Sequence, residues 1–136
     1  MKLNDYVKWT ENTCAKLDTH QEDILHLLLG MVTEIGELSD IFKKALAYKK
    51  EIDWINVEEE LGDAIFYISS FCRINNIDLE KVLETNVAKL ESRYPEKFTE
   101  YHALNRDLLH ERKILEVREK ELPDGRVILE SNEPLV

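Results

Sequence analysis

Four acidic residues in two short pairs carry the chemistry that this sequence offers. Glu34 and Glu37 form one pair, and Glu60 and Asp63 form the other. The members of each pair stand three positions apart, the spacing that puts two side chains on one helix face. Two antiparallel helices would bring all four carboxylates to one spot. Two like charges about 4 Å apart repel by roughly 4 kcal/mol at an effective dielectric near 20. Such a gathering calls for a counter-charge, and a hard divalent cation supplies one. An all-oxygen site without histidine suits Mg2+ or Mn2+.

The elements that position these acids follow from composition and periodicity. The chain has 136 residues, 43% hydrophobic and 34% charged, with only four glycines and three prolines. That favours one domain of helices joined by short loops. A net charge of −10 and a pI near 4.9 repel nucleic acid polymers and anionic membranes. Cys14 and Cys72 lie in apolar stripes, as reduced core cysteines of a cytoplasmic protein do. The expectation is a protein without signal peptide or membrane span, since no apolar run approaches the required length.

A first helix is expected from an Asn4 cap to about Leu17, with Leu3, Val7, Thr10, Cys14 and Leu17 inward. Tyr6 and Trp9 flank that stripe, as core or dimer contacts or as a wall for a nucleobase. Thr19 and Glu22 form a capping box for a second helix over about 20–48. Its expected inward stripe is Ile24, Leu28, Met31, Ile35, Leu38, Phe42 and Ala45, with Glu34 and Glu37 at the border. Gly30 and Gly36 inside it each cost roughly 1 kcal/mol against alanine, which close approach of a backbone or ligand would explain. A third helix starts at an Asn56 cap and ends near Ile74, with Val57, Leu61, Ala64, Ile68 and Phe71 inward. Asp78 caps a fourth helix that ends at Arg93, before Tyr94-Pro95.

Together these predict an all-α, antiparallel, four-helix-bundle-like core over residues 1–110. Residues 111–136 would be a C-terminal extension, in which Ile114 to Glu121 either extends a helix or pairs across Pro123-Asp124-Gly125 with Arg126 to Glu130 as a short β-hairpin, the alternation of the second arm favouring the hairpin.

Several chemistries are absent. There is no phosphate-cradling glycine loop, no Cys-x-x-Cys pair and no nucleophile elbow. A di-iron carboxylate bundle needs a Glu-x-x-His on two helices. The nearest pairs, Asp23-x-x-His26 and Asp107-x-x-His110, carry aspartate and do not align with the acidic pairs. On the fourth helix, Asn86, Lys89 and Arg93 share a face. An amide, an ammonium and a guanidinium on one side make a phosphate clamp, or else a solvated basic edge. The rival reading from another class is a non-enzymatic acidic helical interaction or oligomerisation module. Whether the four acids cluster decides between them.

Glu34-x-x-Glu37, a 22-residue gap and Glu60-x-x-Asp63 resemble the signature of the MazG-like all-α nucleoside triphosphate pyrophosphohydrolases. Leu29-Gly30 ahead of the first pair and Glu59-Glu60-Leu61-Gly62-Asp63 match in context. Asn86-x-x-Lys89-Leu90-x-x-Arg93-Tyr94-Pro95 is similar to the family's C-terminal motif, so the match covers roughly residues 20 to 100. Asn105-Arg106-Asp107 beyond it looks like phage-type members. One departure is Thr33, where many members carry a further glutamate.

The resemblance implies hydrolysis of a nucleoside triphosphate, often a deoxy one, to the monophosphate and pyrophosphate. Glu34, Glu37, Glu60 and Asp63 would then hold Mg2+, with Glu37 as a general base. Lys89 and Arg93 would hold the pyrophosphate, and Asn86 a phosphate or the sugar. The family's assembly as dimers or tetramers implies a homo-oligomer, with Trp9 or Trp54 able to serve a neighbour's site.

Overall fold

The computed structural model describes residues 1–117 of the chain. Every regular element among the described residues is helical, as the composition predicts. They divide into two compact units, residues 1–77 and the segment from Asp78 onward.

The first unit is built on a helical hairpin. Helix α2 spans His20–Tyr48 and α3 spans Trp54–Ile74. The start of α2 follows from its capping box: Glu22 N–H donates to Thr19 Oγ1 at 3.2 Å, and Thr19 N–H donates to Glu22 Oε2 at 2.9 Å. Its end is set by Lys49, which adopts the left-handed conformation with φ 56°. Only five residues then connect to α3, so the helices return antiparallel and pack along their length.

Helix α3 begins earlier than expected. Asp53, not Asn56, is its N-cap, with Oδ1 accepting from Ile55 N–H at 3.1 Å and Asn56 N–H at 3.3 Å. A short carboxylate reaches two orphan amides at once, which outweighs the amide three residues later.

The first helix is also shorter than its apolar repeat suggests. Helix α1 covers Leu3–Trp9 and passes into a 3-10 turn at Thr10–Asn12. Side chains compete with the helix there: Thr10 Oγ1 donates to Val7 O at 2.8 Å and Asn12 Nδ2 to Trp9 O at 2.9 Å. Asp23 Oδ1 then accepts from Leu17 N–H at 2.8 Å, which draws the following loop onto α2. Helix α1 packs on α3, and Arg73 Nε donates to the fully buried Thr10 hydroxyl at 3.1 Å.

The packed faces are rotated from the expected stripes. On α2, Leu27 and Gly30 are buried, and Glu34, Leu38, Ile41 and Ala45 are half-buried at matching helical spacing. Leu28, Ile35 and Phe42, expected inside, are exposed. On α3, Val57, Glu60 and Ala64 are buried, with Tyr67 and Phe71 half-buried, whereas Leu61 and Ile68 are exposed. Both helices carry two apolar faces. Ile24, Met31, Leu38 and Ala45 of the expected α2 stripe are half-buried, and Val57, Ala64 and Phe71 of the α3 stripe are covered, so the packed face overlaps the expected one and takes in Glu34 and Glu60 as well.

In the second unit, α4 spans Leu79–Arg93, α5 spans Glu100–Leu104 and α6 spans Leu108–Val117. Asp78 caps α4 as expected, accepting from Lys81 N–H at 3.2 Å. Helix α6 runs through the boundary anticipated at residue 110 and packs on α4. Residues 114–117 are helical; the remainder of the anticipated hairpin lies outside the described residues.

Candidate metal centre

The rotation of the packed faces changes where the acids stand. Glu34 and Glu60 do not border the helix seam; they are part of it. Oxygens of Glu34, Glu37 and Glu60 all lie within 4.8 Å of one another, contributed by two helices. Glu60 is only 6% exposed, Glu34 half-buried and Glu37 exposed, so the cluster runs from the seam outward. Burial pushes the Glu60 carboxyl above the usual carboxylate range, and the charges of Glu37 and Glu34 push it further, with Glu59 and Asp63 adding to them. A buried carboxylate facing two more carboxylates is an uncompensated negative site. The donor set therefore fits a hard divalent cation, which would be held by Glu34, Glu37 and Glu60.

Asp63 lies outside that group of three. It is exposed, one turn further along α3, where its charge reaches Glu60, Tyr6 and Tyr67. Thr33, at the departing position, turns its hydroxyl back to Gly30 O at 2.9 Å and lies 3.4 Å from Glu34 Oε1.

Two aromatic residues border the acids. The Tyr67 ring packs against the α2 backbone at Gly30, and the ring of His26 meets it edge-on with centroids 6.1 Å apart. Burial raises the Tyr67 hydroxyl above its usual range, with Glu34, Asp63 and Cys14 contributing. Tyr6, on α1, is raised by burial and by Asp63, and its ring stacks on Trp9 at 5.9 Å. Tyr67 was not among the residues singled out from sequence. Its signal was there: it follows Asp63 by four residues and so shares that face of α3.

The basic face divides. Asn86, Lys89 and Arg93 are all half-buried on α4. Arg93, however, is committed within its own unit: Nε donates to Glu111 Oε1 at 2.8 Å and Nη2 to Oε2 at 2.7 Å. Arg106 joins the same carboxylate, with Nη2 2.6 Å from Oε2. Glu111 is 4% exposed, and the hydrogen bonds from Arg93 and Arg106 hold its pKa down at about 2. No local pattern signals this pairing, because 18 residues separate Arg93 from Glu111.

A cluster of three carboxylates on the seam of an antiparallel helix pair is now joined by a comparison of sequence. Residues 22–98, more than half the chain, match the model of the MazG nucleotide pyrophosphohydrolase domain. The chain belongs to the MazG family. The matched span includes both acidic pairs and the Asn86, Lys89 and Arg93 face. This MazG chain is also similar to the Gene 37 protein of Mycobacterium phage L5, with 29% identity over 76 residues, covering 53% of this chain and 67% of that protein. That likeness is consistent with a phage-type member. No solved structure shows a significant match. Among the described residues, no helix is long and apolar enough to cross a membrane.

Proposed function

We propose that this MazG protein hydrolyses nucleoside triphosphates, including deoxynucleoside triphosphates, to the monophosphate and pyrophosphate with Mg2+ as cofactor and Mn2+ as its substitute. The carrying observation is the convergence of Glu34, Glu37 and Glu60 within a matched MazG domain. An ion bound there supplies charge that draws in and stabilises a triphosphate and acidifies water. Glu60, buried and rigid on the seam, is the anchoring ligand, with Glu34 beside it. Asp63 completes the set from the next turn of α3. Glu37, the exposed member of the three clustered glutamates, is free to leave part of its carboxylate to accept a proton from the attacking water.

Lys89 and Asn86 take the phosphate tail in this reading. Arg93 is engaged by both carboxylate oxygens of Glu111, so its guanidinium is a fixed cation more than a flexible clamp. The substrate pool is the cytoplasmic one.

The assembly we infer is a homodimer or homotetramer. Its support is the uncovered apolar face of the hairpin, where Leu28, Val32 and Ile35 on α2 and Leu61 and Ile65 on α3 are exposed. Exposed large apolar side chains in this number on two packed helices favour an interaction surface. A second copy presenting the same two helices would complete a four-helix bundle.

Incubation of the protein with each ribo- and deoxynucleoside triphosphate and Mg2+ tests the activity. Release of pyrophosphate and monophosphate is expected. Absence of release with every nucleotide, or release of inorganic phosphate instead, overturns the proposal.

A further inference from the structure

The clustered glutamates form one end of a larger hollow. A cavity of about 400 Å3 opens beside Glu37 and Glu60, continues along α2 through Gly36, Asp40 and Lys44, and crosses to Asn56 on α3. Its size is that of a small-molecule site. The end away from the glutamates has a chemistry of its own.

Gly36 is the first indication. A glycine inside a helix costs roughly 1 kcal/mol against alanine and needs a reason. At Gly30 the reason is Tyr67. At Gly36 a Cβ would meet nothing within 4 Å. The missing side chain thus leaves bare helix backbone on the cavity wall, against which a flat group can lie.

Charge is the second. Asp40 pairs with both Lys43 and Lys44. Of these, Asp40 and Lys44 line the cavity, and as an ion pair they leave that end polar without the excess acid of the glutamate end, so it offers hydrogen-bonding groups to a neutral ring. Asn56 is the third. It is half-buried, and its carboxamide forms no hydrogen bond with the described residues. A carboxamide offers an acceptor and two donors side by side, the pattern that pairs with the polar edge of a base.

We propose that Gly36, Asp40, Lys44 and Asn56 form the nucleobase pocket, with the base ring on the backbone at Gly36 and its polar edge on the Asn56 carboxamide. The phosphates run back toward Glu37 and Glu60. The inference rests on the pyrophosphohydrolase reading above and adds the residues that choose the base.

The test compares kcat/KM for the four deoxynucleoside triphosphates in the wild type, Asn56→Ala and Gly36→Leu. In Asn56→Ala, the preferred nucleotide loses about 5- to 150-fold, chiefly through KM, the cost of one bidentate base contact. The other nucleotides change little, so the preference collapses. In Gly36→Leu, KM rises for every base. This variant melts at or above the wild-type temperature, because leucine is the better helix former and the space is open, so lost binding there is not lost folding. An equal loss across all bases in Asn56→Ala, an unchanged preference, unaltered kinetics in Gly36→Leu, or a wild type without base preference each overturns the pocket assignment while leaving the activity standing. A wild type inactive on all nucleotides overturns the activity first, and the pocket with it.

Discussion

The Tyr67 ring lies so close to α2 at Gly30 that a Cβ on that glycine would stand 2.2 Å from Tyr67 Cε1. The contact sets how closely α2 and α3 approach one turn from Glu34, and so sets the span of the carboxylate cluster. Gly30→Ala forces the ring or the helix to move. The helix-propensity gain of about 1 kcal/mol is outweighed by overpacking, which costs about 1–3 kcal/mol. Chemical denaturation should show a net loss, and Mg2+ affinity should fall with it. A variant as stable as the wild type would show that Tyr67 swings away freely and does not define the spacing.

Glu60→Gln removes the buried charge that Glu34 and Glu37 oppose. In metal-free buffer the variant should melt at a higher temperature than the wild type. Added Mg2+ should then raise the wild-type melting temperature by several degrees and leave the variant unmoved, since ligand stabilises only the form that binds it. An identical Mg2+ response in both proteins would exclude Glu60 as a ligand.

Glu37→Gln keeps the size and polarity of the side chain but cannot accept a proton. Turnover should drop by about 10²–10⁴-fold, the usual share of general-base catalysis, with the fold intact. Steady-state pyrophosphate release and circular dichroism check the two halves. Retained activity would move the proton acceptor to another carboxylate.

Replacing Ile35 by glutamate puts a charge in the uncovered apolar face, where Ile35 is 50% exposed in the single chain. Light scattering after size-exclusion chromatography should register a fall in oligomer size, with far-UV circular dichroism unchanged. A wild type that is monomeric at high concentration refutes the assembly directly.

Glu111 gives the second unit a defined acid response. Its folded pKa of about 2 lies below the ordinary value of 4.5. Its stabilising contribution is complete above the ordinary value and is lost as pH falls from about 4.5 through about 2. Glu111→Gln should lower the melting temperature by several degrees at neutral pH and flatten the loss of stability over that acid range. A mutant with the same acid profile as the wild type would place the main acid-sensitive group elsewhere.

Much of this was readable along the chain, because it depends on neighbours within one or two helical turns. The capping box at Thr19 and Glu22, the Asp78 cap, the length of α2 and α4, and the pairing of acids at i and i+3 are all local. The choice between caps at Asp53 and Asn56 was also local but nearly balanced, and the short carboxylate prevailed. Helix α1 ended early because Thr10 and Asn12 turned their side chains onto the backbone, a competition that an apolar repeat does not reveal.

The amino-acid sequence alone determined the all-helical class and the placing of each acidic pair on one helix face, since these rest on residue type and spacing. Tertiary structure alone decided which of two apolar faces on α2 and α3 is packed. That choice moved Glu34 and Glu60 from the border of the seam into it, left Asp63 a turn outside the cluster, and set Tyr67 on Gly30. It also joined Arg93 to Glu111 across 18 residues. Periodicity measures how apolar a face is, but only packing shows what covers it, and Glu34, Glu37 and Glu60 cluster because the packed faces of α2 and α3 take in Glu34 and Glu60.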